Sequence, residues 1–506
     1  MSTSCQYYSN SKQRRGQYFA TILSCGGSFA SGAALGWSSP VYGDLVTNEE
    51  EYENCDLRFC VSQLTFIWII SILSLGAMLI SIFTGIIMQS IGRKGAQIIF
   101  LFPIALGWIS TLLARTELML YAGRFFVGLS CGAYTIIIPI YVNEIADKCI
   151  RGRLLAWSQF MLYSGILFAF FVGLFVDMFN LDVICCCVVV LYGIGLFFLP
   201  ESPIYLIEKE ETDRAVKAMR QLYGDCFNTT TEIAKILESK TSNAFEDALV
   251  SEWKLLFRKD GSRQALYIVI GLCLFTHLSG IYPLIFTLSN IYEYCQTLMG
   301  SNTISLITAA CMMVSSFICV LTIDWVGRRK LLLLSSAGMT VMACFMVMHL
   351  YFEYCCAENV EGFEYLAIVF LCFYASFFAI GLGPVTFVMM VEMFSPQVSH
   401  LSLAVSSMIN YVLMFCIAMI FYPILNRIAL VGVFALITLA SVLTFVFVIF
   451  AVPETKGKSH EDIQKSLAND DTGEEKFTYN NRALTRGFSF ADAAVAEIDI
   501  KSYFQN

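Results

Sequence analysis

The chain has little charge. Only 14% of its 506 residues are Asp, Glu, Lys or Arg, against about 25% in an average soluble protein, and 57% are hydrophobic. This composition excludes an ordinary soluble enzyme. A net charge of −8 offers no basic surface to nucleic acid. A nucleotide-binding loop, a metal-ligand spacing and a nucleophile motif are also missing, so we expect neither enzyme activity nor a cofactor or metal.

A cleavable signal sequence and a disulfide framework are absent as well. The N-terminus is polar, so we expect the first apolar segment to start membrane insertion itself. Most of the 19 cysteines lie inside apolar runs, where they behave as small hydrophobic residues. Cys55 and Cys60 lie in the first long loop. Whether they form a disulfide is undecided, because pairing cannot be deduced from sequence.

Apolar runs of about 20 residues fill most of the chain, which is the length of a helix that crosses a bilayer. Strands of a membrane barrel would be shorter and would alternate polar with apolar residues. We therefore predict an all-α membrane protein with about 12 transmembrane helices in two six-helix bundles. The predicted spans are 18–40, 63–88, 96–114, 118–142, 155–176, 182–199, 265–291, 302–323, 331–351, 364–390, 401–423 and 429–451.

The remaining segments divide the chain. We predict an N-terminal segment over 1–17, bundles over 18–199 and 264–452, a loop over 200–263 and a largely disordered tail over 453–506. Ala215, Met219 and Leu222 predict short amphipathic helices in the loop. Lys and Arg collect on the side of the termini and the long loop, so both termini are expected to be cytoplasmic. We expect a multi-pass protein of the plasma membrane, with an internal membrane as the alternative.

The segment Tyr121–Arg153 combines packing and charge signals. Gly128 and Gly132 are four residues apart in its apolar part, a spacing that lets another helix approach closely. Glu144, Arg151 and Arg153 follow where the helix leaves the membrane. The charges predict either a polar lock at the cytoplasmic face or a basic helix end required only by topology.

The two halves of the chain repeat each other. Three motifs occur in the same order in each half at nearly the same offset: Gly92-Arg93-Lys94 and Gly327-Arg328-Arg329-Lys330, Glu144 and Glu392, Pro200-Glu201-Ser202-Pro203 and Pro453-Glu454-Thr455. Scattered charges would not agree so closely. A bundle of two similar halves suits alternating access, in which one half rocks against the other around a central site.

These motifs resemble the sugar porter family of the major facilitator superfamily over nearly the whole chain. The resemblance also rests on the Asp324-Trp325-Val326-Gly327 and Gly381–Pro384 segments. Gly36-Trp37-Ser38-Ser39-Pro40 is similar to the branch with insect facilitated trehalose transporters and animal facilitative glucose transporters. The resemblance implies a major facilitator fold and a cytoplasmic gate. It places Arg93, Glu144, Arg151 and Glu201 in one cluster, with Arg328, Glu392 and Glu454 as its mirror.

The resemblance also implies where a sugar binds, and here the sequence departs from the family. Gln159 and Asn410 match expected amides, whereas Thr276 and His277 replace a pair of glutamines. Tyr282, Met312 and Phe387 stand where polar groups or other aromatics are expected. The candidate substrate-binding residues are Gln159, Thr276, His277, Tyr282, Phe387 and Asn410. His277 is interpreted as a pathway residue, with a hydrogen bond to a neighbouring helix as the alternative.

The proton-coupling aspartate that symporters of the family carry in the first span is absent, because Ser31–Gly36 reads SGAALG. We therefore expect a facilitative carrier of a hexose or trehalose-like disaccharide, with uptake indifferent to an imposed pH gradient. Two alternatives are a non-transporting sugar sensor and a carrier of a less polar solute. The expected partners are a sugar and the lipid bilayer; the oligomeric state is not defined, and a monomer is compatible with the sequence.

Overall fold

A computed structural model describes residues 11–46, 61–147, 149–224, 227–234, 236–237, 256–257, 260–286, 301–355, 365–395, 398–428, 430–458 and 460–468. Within these residues, 12 helices are long and apolar enough to cross a membrane. They confirm the predicted class and number of spans. Cys55, Cys60 and the tail beyond residue 468 lie outside the described residues. The spans, numbered first to twelfth, are Arg14–Leu45, Gln63–Ile91, Arg93–Leu112, Glu117–Ile145, Arg151–Gly173, Met178–Phe197, Gly261–Phe286, Asn302–Val326, Arg328–Glu353, Tyr365–Glu392, Ser399–Leu425 and Leu430–Ala451.

The outer surface of the bundle is apolar. Large side chains such as Phe102, Phe175, Phe197 and Phe450 project outward, and Phe450 is 84% exposed. A soluble monomer does not carry a continuous apolar surface of this kind, because water would make it costly. The surface is therefore the one that lipid covers.

Close helix packing in the N-terminal half uses the glycines that the sequence singled out. The second and fourth spans lie together. A Cβ atom at Gly128 would strike the carbonyl oxygen of Leu73, and one at Gly132 would lie 2.5 Å from the carbonyl oxygen of Ala77. Larger residues would separate the two backbones and forfeit their dispersion contacts.

Three spans are broken near the middle of the bundle. The first consists of Ser11–Ser24, Gly26–Gly36 and Ser38–Leu45, the seventh of Asp260–Leu278 and Ile281–Phe286, and the tenth of Tyr365–Ile380 and Leu382–Glu392. Gly280 adopts a φ of 71° in the seventh span, a conformation that costs little without a Cβ atom. The hydroxyl of Tyr374 donates to the freed carbonyl of Ser279 at 2.6 Å, which satisfies it away from water.

The two halves meet along two pairs of spans. The second span packs against the eleventh, and the fifth packs against the eighth. Outside the spans, helices Pro203–Glu208, Thr212–Tyr223 and His460–Ala468 lie at the ends that carry Arg93, Arg151 and Arg328. We call this end of the bundle the basic side. Helix Thr212–Tyr223 buries Ala215, Met219 and Leu222, the face that its sequence pattern predicts.

Candidate functional site

A cavity of about 40 Å³ lies between the two halves. Four predicted residues line it: Gln159 of the fifth span, Tyr282 of the seventh, Phe387 of the tenth and Asn410 of the eleventh. Its other described lining residues are also uncharged. A cavity that binds benzene measures about 150 Å³, so a sugar ring does not fit until the halves separate. The cavity has the chemistry of a neutral-solute site in a closed conformation.

His277 and Thr276 lie behind the cavity wall rather than in it. His277 is fully buried, and its Nε2 is 3.0 Å from Oδ1 of Asn410. Its ring centroid lies 5.0 Å from that of Tyr282. Thr276 donates to the carbonyl of Leu272 at 2.7 Å and lies 3.3 Å from the hydroxyl of Thr386. Both residues therefore support the wall.

The contact with His277 orients the amide of Asn410. With Oδ1 engaged by the imidazole, the amide NH₂ is the group left for the cavity. Across the cavity, Oε1 of Gln159 is buried and has no hydrogen-bond partner in the described part of the chain. The site thus offers an amide donor on one wall and an amide acceptor on the other. A hydroxyl group can bind to either.

Tyr411 is a cavity residue that the sequence reasoning missed. Its hydroxyl lies 2.6 Å from Oγ1 of Thr135 and 3.3 Å from the carbonyl of Cys131. Tyr411 belongs to the C-terminal half, and Thr135 and Cys131 belong to the N-terminal half. The bond therefore joins the halves beside the cavity. The position of Tyr411 directly after Asn410 is the signal that could have identified it.

Three of the predicted gate residues meet at the basic end of the N-terminal half. Arg93 Nη2 lies 2.6 Å from Glu144 Oε1, and Arg93 Nε lies 3.0 Å from the same oxygen. Glu201 accepts hydrogen bonds from the backbone amides of Arg93 at 2.9 Å and Lys94 at 3.1 Å. Gly92 allows this turn with a φ of 86°. The turn presents its N–H groups to one carboxylate.

The C-terminal half repeats this arrangement. Arg328 donates to both oxygens of Glu392, from Nε at 3.0 Å and from Nη2 at 2.6 Å. Glu454 accepts from the backbone amides of Arg328 at 3.0 Å and Arg329 at 3.2 Å, beside Gly327 with a φ of 99°. The repeated sequence motifs therefore form repeated ion pairs. The hydroxyl of Thr455 adds a bond to Glu392 at 2.8 Å.

Arg151 does not join the cluster in which it was predicted. Its Nη1 lies 3.3 Å from Nε2 of His460, in the C-terminal half, rather than against Glu144 or Glu201. Arg151 is the first residue of the fifth span, which packs against the eighth span of the other half. That position directs the guanidinium across the interface between the halves. The backbone amide of Arg153 crosses in the same way to Oδ2 of Asp324 at 3.1 Å.

A second charged cluster is buried inside the N-terminal half. Arg124 donates to the carbonyl of Ala34 at 2.9 Å, and its guanidinium lies 4.7 Å from the ring centroid of Trp37. The indole of Trp37 donates to Oδ1 of Asp182 at 2.7 Å. The sequence reasoning did not single out Asp182, because it stands at the edge of its predicted span. Trp37 therefore connects Arg124 and Asp182, two groups of opposite type that attract each other inside this half.

The described residues form twelve candidate spans in two halves with repeated motifs and a central cavity between them, which define a membrane transporter of the major facilitator fold. The described residues contain no group of three or more His, Cys, Asp or Glu side chains that could hold a metal. The family model for "Sugar (and other) transporter" matches residues 13–467. The chain therefore belongs to the sugar transporter family, which is not a family of enzymes.

Individual relatives share this length. The chain is 28% identical over 454 residues to the facilitated trehalose transporter Tret1 of Bombyx mori, covering 89% of this chain and 86% of that one. It is 30% identical over 457 residues to the sugar transporter ESL1 of Arabidopsis thaliana, covering 89% and 92%. A solved structure of the proton:xylose symporter XylE bound to 6-bromo-6-deoxy-D-glucose is 18% identical, with a TM-score of 0.73 over 90% of this chain and all of that chain. This structural similarity shows the fold.

Proposed function

We propose that this transporter is a facilitative carrier of a neutral sugar, either a hexose or a trehalose-like disaccharide, that works by alternating access. The main support for this proposal is the uncharged cavity between the halves. Both halves line it, and in its closed form it is too small for a sugar. Separation of the halves would admit the sugar and expose the site to one side at a time. No covalent step is needed.

The sugar would bind to groups that suit a pyranose. Gln159 and Asn410 supply an amide acceptor and an amide donor for hydroxyls, and the rings of Tyr282 and Phe387 supply apolar surface for the C–H face. His277 would act on the sugar through Asn410, and Thr276 through the packing of the seventh span on the tenth. We therefore assign these two residues to positioning rather than direct contact.

The ion pairs at the basic side would fix the helix ends that meet in the closed form. Arg93 with Glu144 and Glu201, and Arg328 with Glu392 and Glu454, tie the ends of spans within each half. Arg151 would tie one half to the other. We propose that this side is cytoplasmic, because Lys and Arg concentrate on the cytoplasmic side of membrane proteins. We also propose that the protein resides in the plasma membrane. Protease access to the long loop in sealed vesicles of known orientation tests the topology.

A facilitative mode is favoured by the cavity lining, in which none of the described residues is a carboxylate. In proteoliposomes, the internal sugar concentration should level off at the external value, and a proton gradient imposed in either direction should leave that final level unchanged. Accumulation above the external concentration would show coupling and would refute this mode.

A carrier of a less polar solute is the second candidate. A separate apolar pocket of about 10 Å³ lies between the fifth, seventh, eighth and tenth spans and is lined by Ile166, Phe170, Ile281 and Met312, among others. If the two cavities merge when the halves separate, the site would take a solute with an apolar substituent. This candidate keeps the transport cycle and changes the cargo.

Uptake by proteoliposomes decides between these readings. A panel of labelled hexoses, disaccharides, polyols and less polar glycosides is tested with the native chain, Gln159→Ala and the control Gln89→Ala, whose side chain is exposed at the end of the second span. Saturable flux of an unsubstituted sugar, lost in Gln159→Ala and kept in the control, is expected. Flux restricted to apolar glycosides would favour the second candidate. Binding without flux would favour a sensor.

A further inference from the structure

Two histidines of the C-terminal half contact arginines of the N-terminal half at the basic side. Nε2 of His400, in the eleventh span, lies 3.4 Å from Nη2 of Arg93. Nε2 of His460, in the tail helix, lies 3.3 Å from Nη1 of Arg151. These are contacts between the halves, unlike the ion pairs of Arg93 with Glu144 and Arg328 with Glu392. They exist only while the basic side is closed.

Two contacts of His460 favour its neutral state. A guanidinium has only N–H donors, so Nε2 must accept with a lone pair. On the other side of the ring, Nδ1 lies 3.0 Å from the backbone carbonyl of Glu392, which can only accept. Both contacts are satisfied by the neutral imidazole with its hydrogen on Nδ1. A second proton would fall on Nε2 and face the N–H groups of Arg151.

His400 also accepts a hydrogen bond from an arginine. Nε2 must accept from Arg93, which again requires the neutral ring. The internal repeat shows how unusual this contact is. Gly152 stands eight residues after Glu144, and His400 stands eight residues after Glu392. Gly152 packs directly against Arg328, so in one half the arginine meets a glycine and in the other it meets a titratable ring.

The charged groups nearest to the two histidines act in both directions. Around His400, Glu144 pairs with Arg93 through one oxygen, half-exposed Glu208 favours protonation of the ring, and Arg93 opposes it more strongly. The adjacent end of the second span carries the uncharged Gln89 and Ser90. Around His460, the carboxylate of Glu392 is bound by Arg328 and Thr455. Asp147, which also acts on Arg151, is paired with Arg14. The helix of His460 also carries the acidic Glu461 and Asp462 and the basic Lys465.

We propose that His400 and His460 form a pH-sensitive latch that keeps the basic side closed while both rings are neutral and releases it when they are protonated. The proposal rests on the alternating-access function above and adds its regulation. An imidazole in water titrates near pH 6.5. Contact with Arg93 and with Arg151 opposes protonation in the closed form, so acidification on the basic side favours the separated form, in which both rings are hydrated and take up protons. Like charges in contact favour separation of the halves.

The latch regulates transport without coupling protons to it. Both histidines lie at the same end of the bundle, so each proton binds from and returns to the basic side. A lower pH there changes the fraction of carriers that are open to that side, and hence the rate. The final sugar distribution stays the same.

The test measures opening without any sugar, so its outcome is independent of whether the cargo has been identified. Spectroscopic labels are attached through noncanonical residues at the exposed positions Gln89 and Lys330, because the 19 native cysteines would react with thiol labels. The full chain in nanodiscs is titrated from pH 8 to pH 5.5. We expect the open-to-closed ratio to rise at least about tenfold.

Substitutions test whether His400 and His460 cause the pH response. A glutamine keeps a neutral acceptor at the end of the side chain, so the double variant His400→Gln, His460→Gln should stay closed across the whole range. His349→Gln, a buried histidine of the ninth span packed near Phe370, should respond as the native chain does. An unchanged ratio in the native chain would overturn the proposal, and so would a double variant that opens with the native midpoint.

Discussion

Arg328 and Glu392 form a two-pronged ion pair in which each carboxylate oxygen accepts one guanidinium N–H, at 3.0 Å and 2.6 Å. The mirrored pair differs. Arg93 directs both its Nε and its Nη2 to the same oxygen of Glu144, and Oε2 of Glu144 has no hydrogen-bond partner among the described residues. Two parallel bonds are stronger than two bonds to one oxygen. The gate is therefore stronger in the C-terminal half.

The first prediction concerns these two pairs. Glu392→Gln removes one of the two accepting oxygens and leaves Asp324, 3.2 Å from Nη2, as the ion-pair partner of Arg328, whereas Glu144→Gln can keep the oxygen that Arg93 uses. Breaking a buried pair costs about 3–5 kcal/mol, and hydration of the arginine in the open form relieves that cost. We expect Glu392→Gln to raise the open-to-closed ratio at least about tenfold more than Glu144→Gln. The measurement is the distance between labels at positions 89 and 330.

Glu353→Gln, at the far end of the ninth span, is the matched control and should leave that distance unchanged. Equal opening in Glu144→Gln and Glu392→Gln would contradict the difference between the two pairs.

The second prediction concerns the interface at Gly152. A Cβ atom there would strike Arg328 and Asp324, both in the other half. Gly152→Ala should therefore favour the form that is open at the basic side and slow uptake, although alanine is the better helix former by up to about 1 kcal/mol. Gly85→Ala is a matched control, because a Cβ atom at Gly85 meets nothing within 4 Å. Normal closure of Gly152→Ala in the label assay would show that the interface adapts.

The third prediction concerns the bond between Tyr411 and Thr135. Tyr411→Phe and Thr135→Val each remove the 2.6 Å contact that joins the halves. Each should lower the apparent free energy of unfolding in detergent by about 1 kcal/mol, the net value of a buried hydrogen bond. The double variant should lose less than the sum of the two single losses, because the contact between the two hydroxyls is common to both. Fully additive losses would mean that the two hydroxyls act separately.

The fourth prediction separates positioning from direct contact at His277. His277→Ala frees the amide of Asn410 and should raise KM about fivefold, equivalent to about 1 kcal/mol, with little change in kcat. His277→Gln can again donate to Oδ1 of Asn410 and should restore KM to within about twofold. Initial uptake rates of the sugar identified by the panel provide both constants.

His349→Ala is the control for this series, because His349 is also a buried histidine but lies on the ninth span. A failure of His277→Gln to restore KM would favour direct contact between the imidazole and the sugar.

Local features explain why the spans and the gate pairs could be predicted. The spans follow from apolar runs of bilayer length, and the acidic partners of Arg93 and Arg328 follow from motifs repeated in both halves. Within each half these charges stand at the ends of neighbouring helices, and the resemblance to the sugar porter family grouped them, with Arg151 as the exception. Gln159 and Asn410 were found because they match family positions, and both line the cavity.

Contacts between distant helices could not be predicted in this way. A helix has one sequence but several faces, and which face meets the cavity depends on how the halves pack. His277 occupies a predicted binding position but contacts Asn410 instead of lining the cavity. Tyr411 lines the cavity although the sequence did not predict it. Asp182 and Trp37 are 145 residues apart and meet only through tertiary packing.

The amino-acid sequence by itself determined the class of protein and its apolar spans, because hydrophobic length is a local property, and with the family resemblance it grouped the charged helix ends within each half. Only the tertiary structure decided that Arg151 binds His460, that Arg93 meets His400 and that the cavity closes around uncharged groups. These contacts depend on the relative position of the halves, which no single segment encodes.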